Sequence, residues 1–528
     1  MFALNLKIFQ TKITFIMKRF VLFIVISQLI MFGMAQQKLT PELLWSLGRV
    51  GSALVSPDGT KVLYDATFYD VDADRGFRDL YTTDLNGAPA VRITETQFNE
   101  NAARWLPNGK IVYTSSESGS NQLWIMDADG KNRKQYSNID GLMEFKFDAT
   151  GTKLLYTKTV KLDKAVVDVY SDLPKANAKI IDEMMYRHWD SWHDLTYNHV
   201  FIAELKGEQW VESKDIMTGE RFDTPLKPSG GIEQVAWSPD GKLIAYACKK
   251  KVGKAYAMST NSEIYLYNTE TGTTENISEG YMGYDLDPIF SPDGTKIIWT
   301  SMERDGFEAD KARLILYDVK AKTKTDLSQG FDQSVSNLSF SPDSKQIFMI
   351  SGIRATYQIF SYDLKAKKFA QITKGVHNYL DYDFAGKFLV ATKQSMSMPT
   401  EVFKVEIATG TETQLTFVNK KTWDGIKLAE VKERTVKTTD GKDMLVWVVY
   451  PPNFDPNKKY PTLLYCQGGP QSAVSQFFSY RWNMQLIAAN DYIIVAPNRR
   501  GLPTFGQEWN DQISKDYGGQ NMQDYLSA

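Results

Sequence analysis

The sequence predicts an all-β propeller followed by a shorter segment of α/β architecture, and three observations support this. A short turn sequence recurs through most of the chain, the recurrence stops after residue 416, and two apolar strands separated by a helical stretch follow it. An apolar N-terminal run precedes the repeats. We therefore divide the chain into residues 1–35, a propeller at 36–416 and a partial α/β domain at 417–528.

The first 35 residues are typical of a secretory signal peptide. Met17-Lys18-Arg19 gives a short basic start, residues 20–34 are almost wholly apolar, and cleavage is expected after Ala35. Met17 is a candidate for the true start. A membrane anchor is the alternative, but the run is short for a span that needs about 20 residues. No later run of 18 apolar residues occurs. We expect an exported protein, periplasmic or secreted, without stable membrane insertion after cleavage.

The repeat is centred on the sequence Ser-Pro-Asp-Gly. It is clearest at Ser56–Gly59 and Ser238–Gly241, with a further complete copy at Ser291–Gly294 and weaker copies elsewhere. The positions of the proline, or of the residue equivalent to it, are 57, 107, 149, 239, 292, 342 and 385, so the intervals are 50, 42, 90, 53, 50 and 43 residues. If the longest interval is two periods, a degenerate copy lies near residue 195, where Tyr197–Ile202 supplies a strand.

Each copy predicts a tight turn between two strands, because proline presets φ and glycine tolerates positive φ. A second hairpin pattern follows most copies, as at Leu314–Asp318. Four short strands in each unit of 40 to 50 residues are typical of propeller blades. Eight copies favour eight blades and seven stays open. An extended solenoid is the structural alternative. Propellers act as scaffolds, peptide platforms or gates, so this fold alone selects no function.

The pattern after residue 416 changes to that of an α/β sheet. A hairpin flanks the turn Asp440-Gly441-Lys442, and two near-continuous apolar strands are centred on 460–465 and 492–497. Between them a helix is predicted over 477–490, with Trp482, Leu486 and Ala489 on one face. This order predicts parallel strands covered on both faces. Residues 519–528 predict the start of another helix.

Composition narrows the function classes. The 528 residues are 43% hydrophobic, and 61 basic against 63 acidic side chains leave a net charge of −2, so nothing indicates a nucleic-acid partner. Two cysteines, Cys248 and Cys466, are too few for a disulfide framework and are expected to be buried thiols. Asp70–Gly76 imitates a calcium loop but has Arg75 at its glycine position, so a solvated loop is expected. No metal or organic cofactor is predicted.

A glycine pair follows the first apolar strand of the second segment, within Cys466–Ser472. Backbone N–H groups at the carboxyl end of a parallel strand can face the crevice where such sheets bind ligands. In α/β-hydrolases, a loop after the third strand donates one N–H to the oxyanion hole. A plain strand-to-helix turn is the simpler interpretation of such a loop.

Taken together, the chain resembles the prolyl oligopeptidase family of serine peptidases. The resemblance rests on the Ser-Pro-Asp-Gly repeats and on four further stretches. These are Tyr465–Pro470, Ala496–Gly501, Phe505–Trp509 and Asp516–Gly519. The closest branch is similar to bacterial dipeptidyl-peptidases and acylaminoacyl-peptidases. The resemblance implies a propeller capping an α/β-hydrolase domain, cleavage of short peptides by a serine, aspartate and histidine triad, and no cofactor. It assigns the oxyanion loop to Gly469, with Gly468 and Gln467 beside it.

The chain departs from that family at the triad. No Gly-x-Ser-x-Gly sequence occurs in the 528 positions, so the triad is expected beyond Ala528 and the chain as given is expected to be inactive. All four histidines, at positions 188, 193, 199 and 377, fall within the predicted propeller. Gln467 stands where relatives often have tyrosine or histidine. No Glu-Glu pair, which some dipeptidyl peptidases use to hold the substrate amine, is present.

An aromatic and charged stretch, Tyr186–His193, lies in the degenerate fourth repeat. His188, Trp189 and Trp192 are candidates for lining a peptide cavity, and the simpler interpretation is that the tryptophans pack as blade core. Two functions remain. The first is an exported serine peptidase of dipeptidyl- or acylaminoacyl-peptidase type, acting on peptide substrates, with homo-oligomerisation left open. The alternative is a non-catalytic periplasmic β-propeller binding protein.

Overall fold

The computed structural model describes residues 36–469 and 471–528. The predicted signal peptide at 1–35 lies outside the described residues. No helix in the described part of the chain is long and apolar enough to cross a membrane.

Residues 49–414 form seven consecutive antiparallel sheets of four strands, counted over the described residues. Sheet 3 has an additional parallel edge strand, and a single residue pair, Tyr357 with Asn378, joins sheets 6 and 7. The strands are, in chain order: in sheet 1, β1 Arg49–Val55, β2 Lys61–Asp70, β3 Arg75–Asp84 and β4 Val91–Arg92; in sheet 2, β5 Asn101–Trp105, β6 Ile111–Ser115, β7 Gln122–Met126 and β8 Lys134–Gln135; in sheet 3, β9 Ser137–Asn138, β10 Phe145–Phe147 and β11 Leu154–Lys161, then the separate hairpin β12 Arg187–His188 and β13 Ser191–Trp192, then β14 Thr196–Lys206 and β15 Gln209–Asp215; in sheet 4, β16 Val235–Trp237, β17 Leu243–Cys248, β18 Glu263–Asn268 and β19 Thr274–Asn276; in sheet 5, β20 Asp285–Phe290, β21 Lys296–Ser301, β22 Arg313–Asp318 and β23 Thr323–Asp326; in sheet 6, β24 Val335–Phe340, β25 Gln346–Ile353, β26 Thr356–Asp363 and β27 Lys368–Gln371; in sheet 7, β28 Asn378–Ala385, β29 Phe388–Ser395, β30 Met398–Glu406 and β31 Glu412–Gln414.

The Ser-Pro-Asp-Gly turns join the first and second strands of their sheets, as predicted. In the first, Ser56 Oγ donates to Asp58 at 2.5 Å and accepts from the Lys61 N–H at 2.9 Å, while Gly59 has a φ of +72°. The same serine-to-aspartate bond recurs at Ser238 and Ser291 with a length of 2.6 Å. The serine thus closes the turn, because its hydroxyl oxygen accepts a hydrogen bond from the first backbone N–H of the second strand.

The prediction of a separate repeat near residue 195 is wrong. Strand β14 is the third strand of sheet 3, because it pairs along its length with β11, with Tyr156 opposite Phe201. The 90-residue interval therefore holds one sheet with an insertion at 162–195, which contains the β12–β13 hairpin and a short helix at Val166–Val169. Turn spacing alone does not distinguish a long insertion from a degenerate repeat.

Neighbouring sheets share buried apolar clusters, and the last sheet packs on the first. Val50 and Tyr64 of sheet 1 contact Val390 and Val402 of sheet 7 within one cluster. The backbone N–H of Val55 also donates to Asp383 at 2.8 Å. In an extended solenoid each repeat contacts only its neighbours in sequence, so this packing contradicts that alternative.

The second segment forms a mixed sheet whose strands are β32 Glu430–Lys437, β33 Asp443–Tyr450, β34 Thr462–Leu464 and β35 Ile493–Pro497. Their order is β32-β33-β35-β34. The predicted hairpin is β32–β33, and β34 and β35 are parallel as predicted. Strand β34 is not covered on both faces, since Leu463 is 43% and Leu464 44% exposed. It lies at the edge of this sheet among the described residues, which explains that exposure.

The described helices are short and are, in chain order, α1 Pro41–Ser46, α2 Val166–Val169, α3 Gly253–Met258, α4 Lys420–Trp423, α5 Met484–Ala488, α6 Gln507–Asp511 and α7 Gln520–Ser527. The helix predicted over 477–490 is only α5. Asn483 caps it by accepting from the Leu486 N–H at 2.9 Å, and Trp482 lies outside it, 54% exposed. The helix predicted at 519–528 is confirmed as α7.

The first described residues pack on the second segment and also contact sheet 1, where the Trp45 ring meets the Tyr69 ring edge-on at 5.3 Å. Gln37 pairs with Ile426, and Leu44 of α1 lies in a buried cluster with Phe478 and Ala489. The second segment also meets the loops between the second and third strands of sheets 5, 6 and 7. Arg304 pairs there with Asp511 at 3.1 Å, and Arg354 with Glu433 at 2.6 Å.

Candidate active site

The predicted oxyanion loop leaves the carboxyl end of β34. Gly468 and Gly469 are both exposed, and Gly469 has a φ of +74°, which favours glycine. Among the described residues, neither glycine N–H has a hydrogen-bond partner. The loop therefore presents two free donors at the end of a strand that is parallel to β35.

Gln467 contributes to this loop through its backbone. Its carbonyl oxygen accepts from Arg499 Nη2 and from the Tyr525 hydroxyl, each at 3.1 Å. Its side-chain Nε2 donates to the Gly468 carbonyl oxygen at 3.2 Å. Neither Arg499 nor Tyr525 is predicted from the sequence as a site residue, although Arg499 lies in one of the stretches that carry the family resemblance.

The two cysteines differ from expectation. Cys248 is buried in the core between sheets 3 and 4, where burial raises the pKa of its thiol to about 12. Cys466 is exposed, because it follows the uncovered strand β34 directly. The prediction of two buried thiols therefore holds only for Cys248.

Arg500 links three elements behind the loop. Its Nε donates to Asp524 of α7 at 2.7 Å, and its Nη2 donates to the other oxygen of that carboxylate at 3.0 Å. A second ion pair joins it to Asp440 in the β32–β33 turn at 2.9 Å. Arg500 and Asp524 are almost wholly buried, whereas Asp440 is 35% exposed. This network fixes α7, and with it Tyr525, against the sheet.

A cavity of about 340 Å³ lies where the second segment meets sheets 5 and 6. Gln471, two residues after Gly469, contributes to its wall. Asp332, on the propeller side, accepts from the Gln507 N–H at 3.1 Å. The cavity thus has propeller side chains on one wall and Gln471, two residues after Gly469, on another.

The aromatic stretch is not blade core. Trp189 is 77% and Trp192 49% exposed, and both line a surface cavity of about 610 Å³ together with Ala257 of α3. The Tyr186 and Trp192 rings stack at 6.1 Å. His188 lies on the same hairpin, with its ring against Trp189 at 5.1 Å. The core interpretation is wrong, because the insertion carries these residues away from sheet 3.

Within residues 36–469 and 471–528, the hairpin and the oxyanion loop are not brought into contact. Asp163 anchors the base of the insertion by accepting from Tyr197 at 2.7 Å, and it lies 3.1 Å from His193 Nε2. The insertion occupies the same loop position in sheet 3 that contacts the second segment in sheets 5 and 6. Because these loops leave the sheets at one end, the hairpin projects from the face that carries the second segment.

The other histidines have structural partners or surroundings. His199 is buried between Asp215, 2.8 Å from Nδ1, and the Glu220 carbonyl oxygen, 2.8 Å from Nε2. Although burial opposes it, the Asp215 carboxylate raises the pKa of His199. Burial, aided by the charge of Lys393, lowers the pKa of His377 to about 4. Neither lies at the oxyanion loop.

Comparison with known proteins places these features in a family. Residues 232–424 match the TolB beta propeller domain, and residues 478–528 match the Prolyl oligopeptidase family. The chain is 47% identical over 494 residues to dipeptidyl-peptidase 5 of Porphyromonas gingivalis, covering 93% of this chain and 72% of that protein. It is 27% identical over 525 residues to dipeptidyl-peptidase 5 of Aspergillus fumigatus, covering 93% and 72%.

Solved structures share the fold. An acylaminoacyl peptidase from Pyrococcus horikoshii superposes with a TM-score of 0.75 at 16% identity, covering 93% of this chain and 71% of that one. A Mycobacterium tuberculosis puromycin-hydrolyzing peptidase gives a TM-score of 0.64 at 11% identity, covering 93% and 73%. At such identities the likeness shows the fold alone, a propeller followed by a hydrolase domain.

Proposed function

We propose, from the premise that this chain belongs to the prolyl oligopeptidase family of serine-type peptidases, that it supplies the propeller and the oxyanion loop of an exopeptidase acting on short peptides. The single observation that carries the proposal is the pair of unpartnered glycine N–H groups at the end of β34. In acyl transfer, such donors stabilise the negative oxygen of the tetrahedral intermediate. The names of its relatives support a dipeptidyl- or acylaminoacyl-peptidase type.

The seven sheets correspond in this proposal to seven blades of one ring. The shared cluster of sheets 1 and 7 supports closure, and the pairing of β14 with β11 supports seven rather than eight. Peptides would meet the oxyanion loop from the propeller side, beside the 340 Å³ cavity. Neither a metal nor an organic cofactor has a role in this chemistry.

The chain as given is proposed to lack turnover, because its 528 residues contain no Gly-x-Ser-x-Gly elbow. Removing a triad forfeits most of the rate acceleration even where the oxyanion donors survive. The test is to incubate the 528-residue polypeptide with fluorogenic dipeptide and N-acyl amino acid substrates. The Porphyromonas gingivalis relative serves as the positive control. Turnover that a serine-directed inhibitor abolishes would contradict the proposed inactivity.

Substrate binding is proposed to involve His188, Trp189 and Trp192. Exposed tryptophans beside a cavity bind apolar side chains at low entropic cost. Binding of non-hydrolysable peptides to the 528-residue chain, followed by calorimetry, should weaken about tenfold or more in Trp189→Ala or Trp192→Ala. Trp482→Ala, which removes another exposed tryptophan, is the matched control. Equal peptide affinity in all three variants would show that the hairpin does not contribute to substrate binding.

Export is the remaining proposal, supported by the basic start, apolar run and small residues before Gln36. Expression in a bacterial host followed by fractionation should give a protein in the periplasm or medium whose first residue is Gln36. A cell-bound product that retains residues 20–34 would favour the membrane anchor.

The competing function is a non-catalytic periplasmic β-propeller binding protein. Reading the coding sequence past codon 528 separates the two hypotheses. A Gly-x-Ser-x-Gly sequence followed by aspartate and histidine supports the peptidase, and a stop codon with stable expression of the chain supports the binding protein.

A further inference from the structure

Arg499 is a buried cation that no carboxylate neutralises within the described part of the chain. It is 3% exposed, and each of its three guanidinium nitrogens donates to a neutral oxygen. Nη1 donates to the Arg500 carbonyl at 2.8 Å, Nε to the Tyr525 hydroxyl at 3.1 Å and Nη2 to the Gln467 carbonyl at 3.1 Å. Burying a charge without a counter-charge is costly. Its neighbour Arg500 forms ion pairs with two carboxylates, those of Asp440 and Asp524, so the two adjacent arginines have different kinds of partner.

The Gln467 carbonyl oxygen is the point on which these groups converge. It accepts from both Arg499 Nη2 and the Tyr525 hydroxyl. A peptide group is planar and trans, so its C=O and the following N–H point in opposite directions. Holding the Gln467 oxygen toward the buried side therefore turns the Gly468 N–H toward the exposed side. Gly468 is exposed, and a Cβ placed on it would meet no atom within 4 Å, so there is open space beside this residue.

We propose that Arg499 and Tyr525 are positioning residues that orient the Gly468 N–H as an oxyanion donor. The inference rests on the proposed role of the loop in acyl transfer. Two successive glycines leave the Gln467–Gly468 peptide group free to rotate unless something holds it. Two donors on its oxygen hold it. They also polarise the same amide, which strengthens its N–H as a donor.

The orientation can be measured without turnover. The sequence contains two Gln–Gly pairs, Gln329–Gly330 and Gln467–Gly468. Labelling glutamine with carbonyl ¹³C and glycine with ¹⁵N therefore gives two signals in a carbonyl-to-amide correlation spectrum of the 528-residue chain. The Gln329–Gly330 signal is an internal control for folding. The residual dipolar coupling of each N–H, measured in an aligned medium, reports its direction.

Tyr525→Phe and Arg499→Met should each shift the Gln467 carbonyl signal to lower frequency, because each removes one hydrogen bond. In the double variant the Gly468 coupling should fall toward zero as the peptide group rotates. The Gly330 coupling should stay unchanged throughout. Tyr517→Phe is the matched control, since this exposed tyrosine makes no described hydrogen bond, and it should move neither signal.

An unchanged Gly468 coupling in the double variant, with the Gly330 signal intact, would overturn the inference. Loss of both signals in Arg499→Met would mark a folding defect, and Tyr525→Phe then decides the question alone. Because no substrate is turned over, either result leaves the peptidase assignment standing. Conversely, the activity assay described above can fail while the loop orientation is measured as proposed.

Discussion

Replacing Arg500 with methionine is expected to release helix α7 from the sheet. The substitution leaves the Asp524 carboxylate, which is 0% exposed, without the arginine that donates to both its oxygens. Breaking a buried ion pair by removing one partner costs about 3–5 kcal/mol, because an uncompensated charge remains. Asp440 is 35% exposed, so water replaces the lost arginine there and adds at most about 1 kcal/mol.

Hydrogen exchange of residues 519–528, followed by mass spectrometry, measures this locally. A loss of about 3 kcal/mol in the opening free energy raises the exchange rate roughly 100-fold. The two carboxylates provide matched controls. Asp440→Asn should change the exchange of α7 little, whereas Asp524→Asn should change it strongly.

The double variant Arg500→Met/Asp524→Leu should recover part of the protection, since removing both partners of a buried pair is far less costly than removing one. The reasoning is refuted if Arg500→Met leaves the exchange of α7 unchanged, or if the effects of Asp440→Asn and Asp524→Asn are equal. Either result would mean that the burial of Asp524 does not set the strength of the network.

Two further predictions concern the propeller and its contact with the second segment. Burial raises the pKa of Asp285 to about 7, so the contribution of this residue to the free energy of unfolding declines as the pH rises from about 4 to 7. The variant Asp285→Asn keeps an acceptor for Trp299, so its advantage over wild type in the free energy of unfolding should grow across that pH range, by at most about 4 kcal/mol. A difference that does not change with pH would contradict this. Gly506 has a φ of +94°, and a Cβ on this residue would lie 2.5 Å from Asp332. Gly441 has a similar φ of +82°, but a Cβ on it would meet nothing within 4 Å. We therefore expect Gly506→Ala to lower the melting temperature by more than Gly441→Ala does. Equal losses would show that backbone strain alone, worth about 1 kcal/mol or more, explains both.

The repeats could be predicted from the sequence because each turn is a local device. The Ser56 hydroxyl, the Asp58 carboxylate and Gly59 lie within four consecutive residues, so their pattern survives in every complete copy. The insertion at 162–195 could not be predicted in this way. A strand without its turn looks the same whether it starts a new sheet or returns to the previous one, and only the pairing with β11 decides.

The candidate site follows the same rule: its local features could be predicted from the sequence, and its long-range contacts could not. The glycine pair follows its strand directly and could be located, whereas the donors to Gln467 lie 32 and 58 residues further along the chain. No spacing rule links a loop carbonyl to groups that distant. The aromatic composition of the β12–β13 hairpin marks it as a candidate site. Its exposure depends on the length of the insertion that carries it, and the repeat spacing does not reveal that length.

The N-terminal segment gives the second domain two covalent connections to the propeller. One runs through Leu47 and Gly48 into β1, and the other leaves β31 toward α4. Asn419 joins them, accepting from the Gly48 N–H at 2.7 Å and donating to its carbonyl at 2.8 Å. At sheets 5 and 6 the contacts include solvent-exposed ion pairs, which contribute little to stability, and the buried Ala355, whose N–H donates to Thr504 Oγ1 at 2.9 Å.

This arrangement has a mechanical consequence. A domain tethered by one linker can swing in any direction, but two tethers clamped at one place act as a pivot. Any separation of the two domains away from Asn419 would have to break the Arg304 and Arg354 ion pairs and the buried contact of Ala355 with the second segment.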